Sequence, residues 1–147
     1  MPLEKSWKCL RQLVEQIPTS RGISKNAKVS AHLADLSNEN LMEIDCQSVK
    51  QKLDSGDEFL FVDCRNQNEY DHVKINGTTL IPMGEFVERL GELDGWQQKE
   101  VIVHCHHGGR SLNVVQYLRQ QGFSHAVSMA GGIDVWALEI DPSLARY

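Results

Sequence analysis

Polar and apolar positions change rhythm along the chain. At the start, Leu3, Trp7, Leu10, Val14 and Ile17 recur at intervals of 4, 3, 4 and 3. That spacing predicts one apolar stripe on a helix of about four turns, stopped by Pro18. "PTSRGISKNAKVS" (18–30) is polar and has no period, so it reads as a linker. "VSAHLADLS" adds a short helical turn. From about residue 43 the rhythm becomes strand, helix, strand. "MEIDC" opens a short strand, and "QSVKQKLDSG" is a helix closed by Gly56. "FLFVDC" (59–64) and "EVIVHC" (100–105) are short apolar runs, as expected of strands buried on both faces. Between them come a helical turn at "NQNEYDH", a strand at "TTLIP" ending at Pro82, and a helix at "GEFVERLGEL". "RSLNVVQYLRQQ" is a helix with Val114, Val115 and Leu118 on one side and Gly122 beyond its end. "HAVSM" is a last strand and "GGIDVWALEI" a last helix or turn. Strands alternating with helices imply an α/β domain at 43–147, with a central parallel sheet and helices on both faces. Residues 1–42 precede it as an N-terminal amphipathic helix and linker. In such sheets ligands bind outside the carboxyl ends of the strands, where Cys105 falls.

Composition narrows the class. At 147 residues, 41% hydrophobic and 24% charged, the chain can bury one core, and no apolar run approaches the length of a membrane span. The net charge of −5 divides unevenly, with +4 on residues 1–30 and −9 on the remaining 117. An acidic body argues against nucleic-acid binding. The basic, amphipathic leader is read first as a packing helix, then as a partner-binding helix or a presequence; Glu4 and Glu15 argue against the last. Cys9, Cys46, Cys64 and Cys105 form no CxxC, and a chain able to build its own core needs no disulfide framework. We read the thiols as reduced and the protein as cytoplasmic.

The chemistry concentrates in "CHHGGRS" (105–111), a loop between a buried strand and a helix. Gly108 and Gly109 permit backbone angles that let peptide N–H groups turn toward a common centre. Such a nest binds an anion, and the helix N-terminus adds its positive end. An unperturbed thiol is only about 3% thiolate at pH 7, and these donors together with Arg110 favour the charged form. Cys105 is therefore a candidate nucleophile in an anion-stabilising cup. An inert loop thiol and a metal ligand are the competing readings. His104, His106 and His107 cluster beside it, but His104 should project from the other side of its strand, and a glycine cradle serves an anion. His106 and His107 set substrate access and local positive character, with proton transfer as a sharper alternative. Four residues separate Cys105 from Arg110, fewer than in cysteine-dependent phosphatases, which favours a guest smaller than phosphate.

The sequence resembles the single-domain rhodanese (thiosulfate sulfurtransferase-like) family over roughly residues 43–147. The resemblance is carried by "FVDCRNQNEY" (61–70), "INGTTLIP" (75–82), "VIVHCHHGGRS" (101–111) and "GFSHAVSMAGGIDVW" (122–136). It implies a three-layer rhodanese-like fold. Cys105 matches the sulfur-accepting cysteine and 106–110 the active-site loop, with Arg110 as its closing cation. Asp63 and Arg65 match a D-x-R pair that supports the site, and Trp136 ends a G-G-I-x-x-W segment, where core packing is expected. The chain departs from the family at "VKINGT", where Lys74 and Thr78 replace a usual histidine and alanine. "DPSLARY" resembles the tail of rhodanese domains fused to adenylating enzymes.

The resemblance implies a sulfurtransferase that passes sulfane sulfur through a Cys105 persulfide. A small-molecule donor and a thiophilic or protein acceptor are its expected partners, and no metal or organic cofactor is needed. Two rivals stand beside this: a cysteine-dependent phosphatase or arsenate reductase, and a non-catalytic docking or sulfur-relay module. Asp63 and Glu69 are read as structural carboxylates rather than an acid–base pair. Cys9, Cys46 and Cys64 are read as small buried residues, with resolution of a persulfide as the sharper alternative for each.

Overall fold

The computed structural model describes residues 41–147. The stripe at 3–17, the linker at 18–30, the "VSAHLADLS" turn and Cys9 lie outside the described residues. The described elements are β1 (Glu43–Ile44), α1 (Cys46–Ser55), β2 (Leu60–Asp63), α2 (Gln67–His72), β3 (Thr79–Leu80), α3 (Phe86–Arg89), β4 (Val101–His104), α4 (Gly109–Gln120), β5 (Ala126–Met129) and α5 (Gly132–Glu139).

Local chemistry sets the ends of these elements. The Asp45 carboxylate accepts the Ser48 N–H at 2.9 Å and starts α1. At α2 the Glu69 carboxylate reaches back to the Asn66 N–H at 3.0 Å, one half of a capping box. The segment read as one helix at "GEFVERLGEL" is broken. A single α-turn, α3, lies between 3₁₀ turns at Met83–Glu85 and Leu90–Leu93. Gly84 and Gly91 weaken the helix from within, while Phe86 and Leu93 are buried at a spacing that still satisfies the core.

All strand pairs are parallel, in the order β1-β5-β4-β2-β3. Leu60 pairs with Val101, Phe61 with Ile102, Val62 with Val103 and Asp63 with His104. Alternation along these strands divides the core in two. Val62, Val101, Val103 and Cys105 pack with Phe86, Val114, Val115 and Leu118 on one face. Phe61, Ile102 and Met129 pack with Val49, Ile133 and Trp136 on the other. Both layers are sealed, with Val49, Val115 and Leu118 at 0% exposure. Among the described residues, no helix is long and apolar enough to cross a membrane.

Candidate active site

The site begins where β4 ends. Cys105 is 1% exposed and follows the alternation of Val101 and Val103 onto the α4 face. His104 takes the opposite face, fully buried, its ring 5.3 Å from that of Phe61 and its Nδ1 3.3 Å from the Cys105 carbonyl oxygen. Burial holds His104 below the usual imidazole range, so it is neutral.

Two carbonyls fix the loop from behind. The Ile133 N–H donates to the Cys105 oxygen at 2.9 Å, and the Asp134 N–H donates to the His106 oxygen at 3.1 Å. The first turn of α5 thus takes up the loop's acceptors, and its donors face the other way. Gly132 makes this approach possible: a Cβ there would lie 2.3 Å from the Cys105 oxygen and 2.4 Å from the His106 oxygen. Gly108, at φ +108°, then turns the chain into α4.

The donors converge on the cysteine sulfur. The Gly108 N–H is 3.0 Å from Cys105 Sγ and the Ser111 N–H 3.4 Å. Ser111 Oγ lies 3.4 Å from the same sulfur, 3.1 Å from the Gly108 oxygen and 2.7 Å from the buried Ser128 hydroxyl. A proton received from Ser128 leaves the Ser111 proton to the sulfur and the Gly108 carbonyl. The Cys64 thiol enters the same buried cluster as Cys105, and its proton favours the Cys105 thiolate. Cys64, the Ser111 hydroxyl and the two N–H groups outweigh burial and lower Cys105 to about 4. The same shared proton, and then burial, push Cys64 far above the ordinary thiol range. Because the backbone N–H donors aim at Cys105, Cys105 is the thiolate and Cys64 the thiol.

Arg110 stands at the rim. Its guanidinium forms two bonds to the Glu69 carboxylate, at 2.7 and 2.8 Å, which hold Glu69 down at about 2. Among the described residues, the hydrogen bonds of Arg110 go to Glu69 and not to the sulfur. Arg65 is fully buried. It binds Asp63 through Nε at 2.9 and 3.1 Å and through Nη2 at 2.6 Å, and donates to the Val73 carbonyl at 2.7 Å. The Tyr147 hydroxyl joins the two ion pairs, accepting from Arg65 Nη1 and donating to Glu69 Oε1, both at 2.9 Å. Its ring stacks on His106, centroids 4.0 Å apart and planes 9° apart. His107 is largely exposed and lies 3.8 Å from Asp134.

The structure therefore gathers Cys105, Gly108 and Ser111 at one point, with His106 and Arg110 on the rim and His107 outside. The expectation that both glycines bend the loop is corrected for Gly109, the first residue of α4. It has no left-handed angle, and there is open space where a Cβ would be. Asp63 and Glu69 are engaged by separate arginines, and the Trp136 side chain is core, packed on Phe61. Sequence reasoning missed the placing of Cys64 beside Cys105, the Ser128 support, the carbonyl contacts of Gly132 and the Tyr147 bridge. Two cysteines, each ending a buried apolar run, were a signal for the first, but only the strand register brings them together.

A profile of the rhodanese-like domain matches residues 45–139. The chain belongs to the rhodanese-like domain family. Its relatives in that family include the sulfurtransferase of Allochromatium vinosum, 33% identical over 95 residues, 65% of this chain and 87% of that one. The adenylyltransferase and sulfurtransferase MOCS3 of Oryza sativa is 34% identical over 115 residues, 71% of this chain but 26% of the rice protein. The crystal structure of a rhodanese-like domain protein from Staphylococcus aureus superposes with a TM-score of 0.62 at 28% identity, covering 73% of this chain and 99% of that one. The Allochromatium and rice relatives are both named as sulfurtransferases.

Proposed function

We propose that the protein is a sulfurtransferase that moves sulfane sulfur from a donor such as thiosulfate to a thiophilic acceptor through a Cys105 persulfide. The observation that carries this is the convergence of the Gly108 and Ser111 N–H groups on Cys105 Sγ, at 3.0 and 3.4 Å. The thiolate attacks the outer sulfur of the donor, the sulfur–sulfur bond of thiosulfate breaks, and sulfite leaves with the electron pair. The persulfide is itself an anion, so the donors that stabilise the thiolate stabilise the intermediate. A second nucleophile then takes the outer sulfur and restores the thiolate.

In this reading Arg110 supplies positive potential at the rim while Glu69 holds its orientation. His106 and His107 shape the entrance with Gly109, and Asp63 and Arg65 brace the floor beneath them. The joining of adenylyltransferase and sulfurtransferase names in the rice relative supports a protein acceptor of the sulfur-carrier kind. The free thiols Cys46, Cys64 and Cys105 suit a reducing compartment, the cytoplasm.

The test is to incubate the reduced protein with thiosulfate and take an intact mass. The expected result is one added sulfur atom on the peptide bearing Cys105, lost on adding cyanide with release of thiocyanate, and ping-pong kinetics in turnover. A free Cys105 after thiosulfate, with turnover of an aryl phosphate instead, would replace sulfur transfer by phosphatase chemistry.

A further inference from the structure

Cys64 helps hold Cys105 ionised, but the sulfur transfer proposed above gives its own sulfur no covalent step. It follows the last paired residue of β2, and Cys105 follows the last paired residue of β4. The pairing of Asp63 with His104 therefore places the two cysteines side by side in the register. Neighbouring strands stand about 4.8 Å apart, a Cα separation within the range that disulfides adopt. Both side chains leave the sheet on the same face and enter the same buried cluster, each 1% exposed. The Cys64 backbone is clamped on both sides. Its N–H donates to the His104 oxygen at 2.9 Å, and its carbonyl accepts the Met83 N–H at 3.0 Å. The third described cysteine, Cys46, lies in the other core layer, its Sγ 3.6 Å from the Ala130 carbonyl oxygen.

We propose that Cys64 is the resolving thiol of the Cys105 persulfide, attacking its inner sulfur when no acceptor arrives and releasing hydrosulfide. The proposal rests on the sulfurtransferase reading above. A bond forms between Cys64 Sγ and Cys105 Sγ as the bond to the outer sulfur breaks. The outer sulfur leaves with the electron pair and takes the Cys64 proton, giving hydrosulfide and a Cys64–Cys105 disulfide. The Cys64 sulfur is oxidised, and the departing sulfur is reduced by the same amount. An external dithiol resets the pair by exchange.

Geometry selects the inner sulfur. The outer one extends from Cys105 into the cradle, while Cys64 adjoins Sγ from the neighbouring strand. Loading also removes the charge that held the Cys64 proton, because in the persulfide the negative charge sits on the outer sulfur. Hydrosulfide is a good leaving group, and the loop N–H groups face it as it departs. The domain then has two outputs: sulfane sulfur to an acceptor that docks, and sulfide when none does.

The experiment follows one turnover of the full chain. Reduced protein is loaded with thiosulfate, desalted without exposure to air and held with no acceptor. Released sulfide is trapped with a bimane, and the protein is mapped without reduction. The expected result is one equivalent of sulfide per persulfide lost, with a cross-linked pair of peptides bearing Cys64 and Cys105. The rate should not depend on protein concentration. Loaded Cys64→Ser keeps a hydroxyl to donate to Cys105 but has no sulfur to attack, so its persulfide should persist at least about tenfold longer. Cys64→Ala should behave the same way. A wild-type persulfide as long-lived as that of Cys64→Ser overturns the proposal, as does linkage of Cys105 to Cys9, Cys46 or a second molecule. Failure to load at all would overturn the sulfurtransferase reading and this one with it; loading without release overturns this one alone.

Discussion

At Cys105, hydrogen-bond donors close to the sulfur stabilise the charge more than the Arg110 cation at the rim does. A thiolate lowered to about 4 should alkylate at a rate that is flat above about pH 5 and falls in proportion to the thiolate fraction below it. Rates with iodoacetamide across pH 3–9 check this. Ser111→Ala removes the hydroxyl but keeps the N–H, so the inflection should rise by about one pH unit. Glu69 gives the opposite kind of handle. Its folded value of about 2 lies below the ordinary 4.5. The stability it contributes is therefore complete above about pH 4.5 and is lost as pH falls toward 2. Glu69→Gln should lower stability by about 2 kcal/mol at pH 7, discounted for partial exposure. It should also flatten the pH dependence between 2 and 4.5; urea unfolding at several pH values measures both effects. The residues contiguous with Cys105 were readable because the loop that folds around the sulfur is also a run in the sequence. The placing of Cys64 beside Cys105 and the contacts of Glu69 and Tyr147 were not, because they depend on strand register and on a tail with no periodicity; the sequence raised a resolving role for Cys64 equally with Cys9 and Cys46.

At the scale of elements, α5 acts on the loop through its first turn. Gly132 stands at φ +60°, with the Cys105 and His106 carbonyl oxygens where a side chain would begin. Both obstacles are backbone, so neither can step aside cheaply. Gly132→Ala should cost at least about 2 kcal/mol in denaturant unfolding and should raise the Cys105 inflection as the carbonyls move. Gly109→Ala is the contrast. It sits in a regular helical turn with nothing within 4 Å, and should leave stability equal or raised by up to about 1 kcal/mol. Each glycine is the second of a Gly-Gly pair, in "GGR" for Gly109 and "GGI" for Gly132, so the local sequence offers no means of telling them apart. The buried strands were legible because apolar runs bounded by turn residues admit few other structures. The segment around α3 was not, because Gly84 and Gly91 break a pattern whose apolar spacing still looks helical.

At the scale of the molecule, the parallel sheet and the placing of the site at its carboxyl end followed from alternation alone. The strand order did not, since no local pattern says that β4 lies between β2 and β5. The C-terminal Tyr147 is tied into the same end of the sheet. Tyr147→Phe removes the hydroxyl shared by Arg65 and Glu69 and should cost about 1 kcal/mol in thermal or urea unfolding, with the His106 stack retained. The contact between α5 and the loop also has a consequence for synthesis. Cys105 is translated well before Ile133 and Asp134, whose N–H groups fix its loop, and before Ser128, which supports Ser111. A nascent chain that has emerged only as far as α4 carries the thiol without the frame that ionises it. The reactive sulfur thus comes into being only when the last strand and helix arrive, and a released fragment ending at Gln121, which lacks both, should alkylate like an ordinary cysteine.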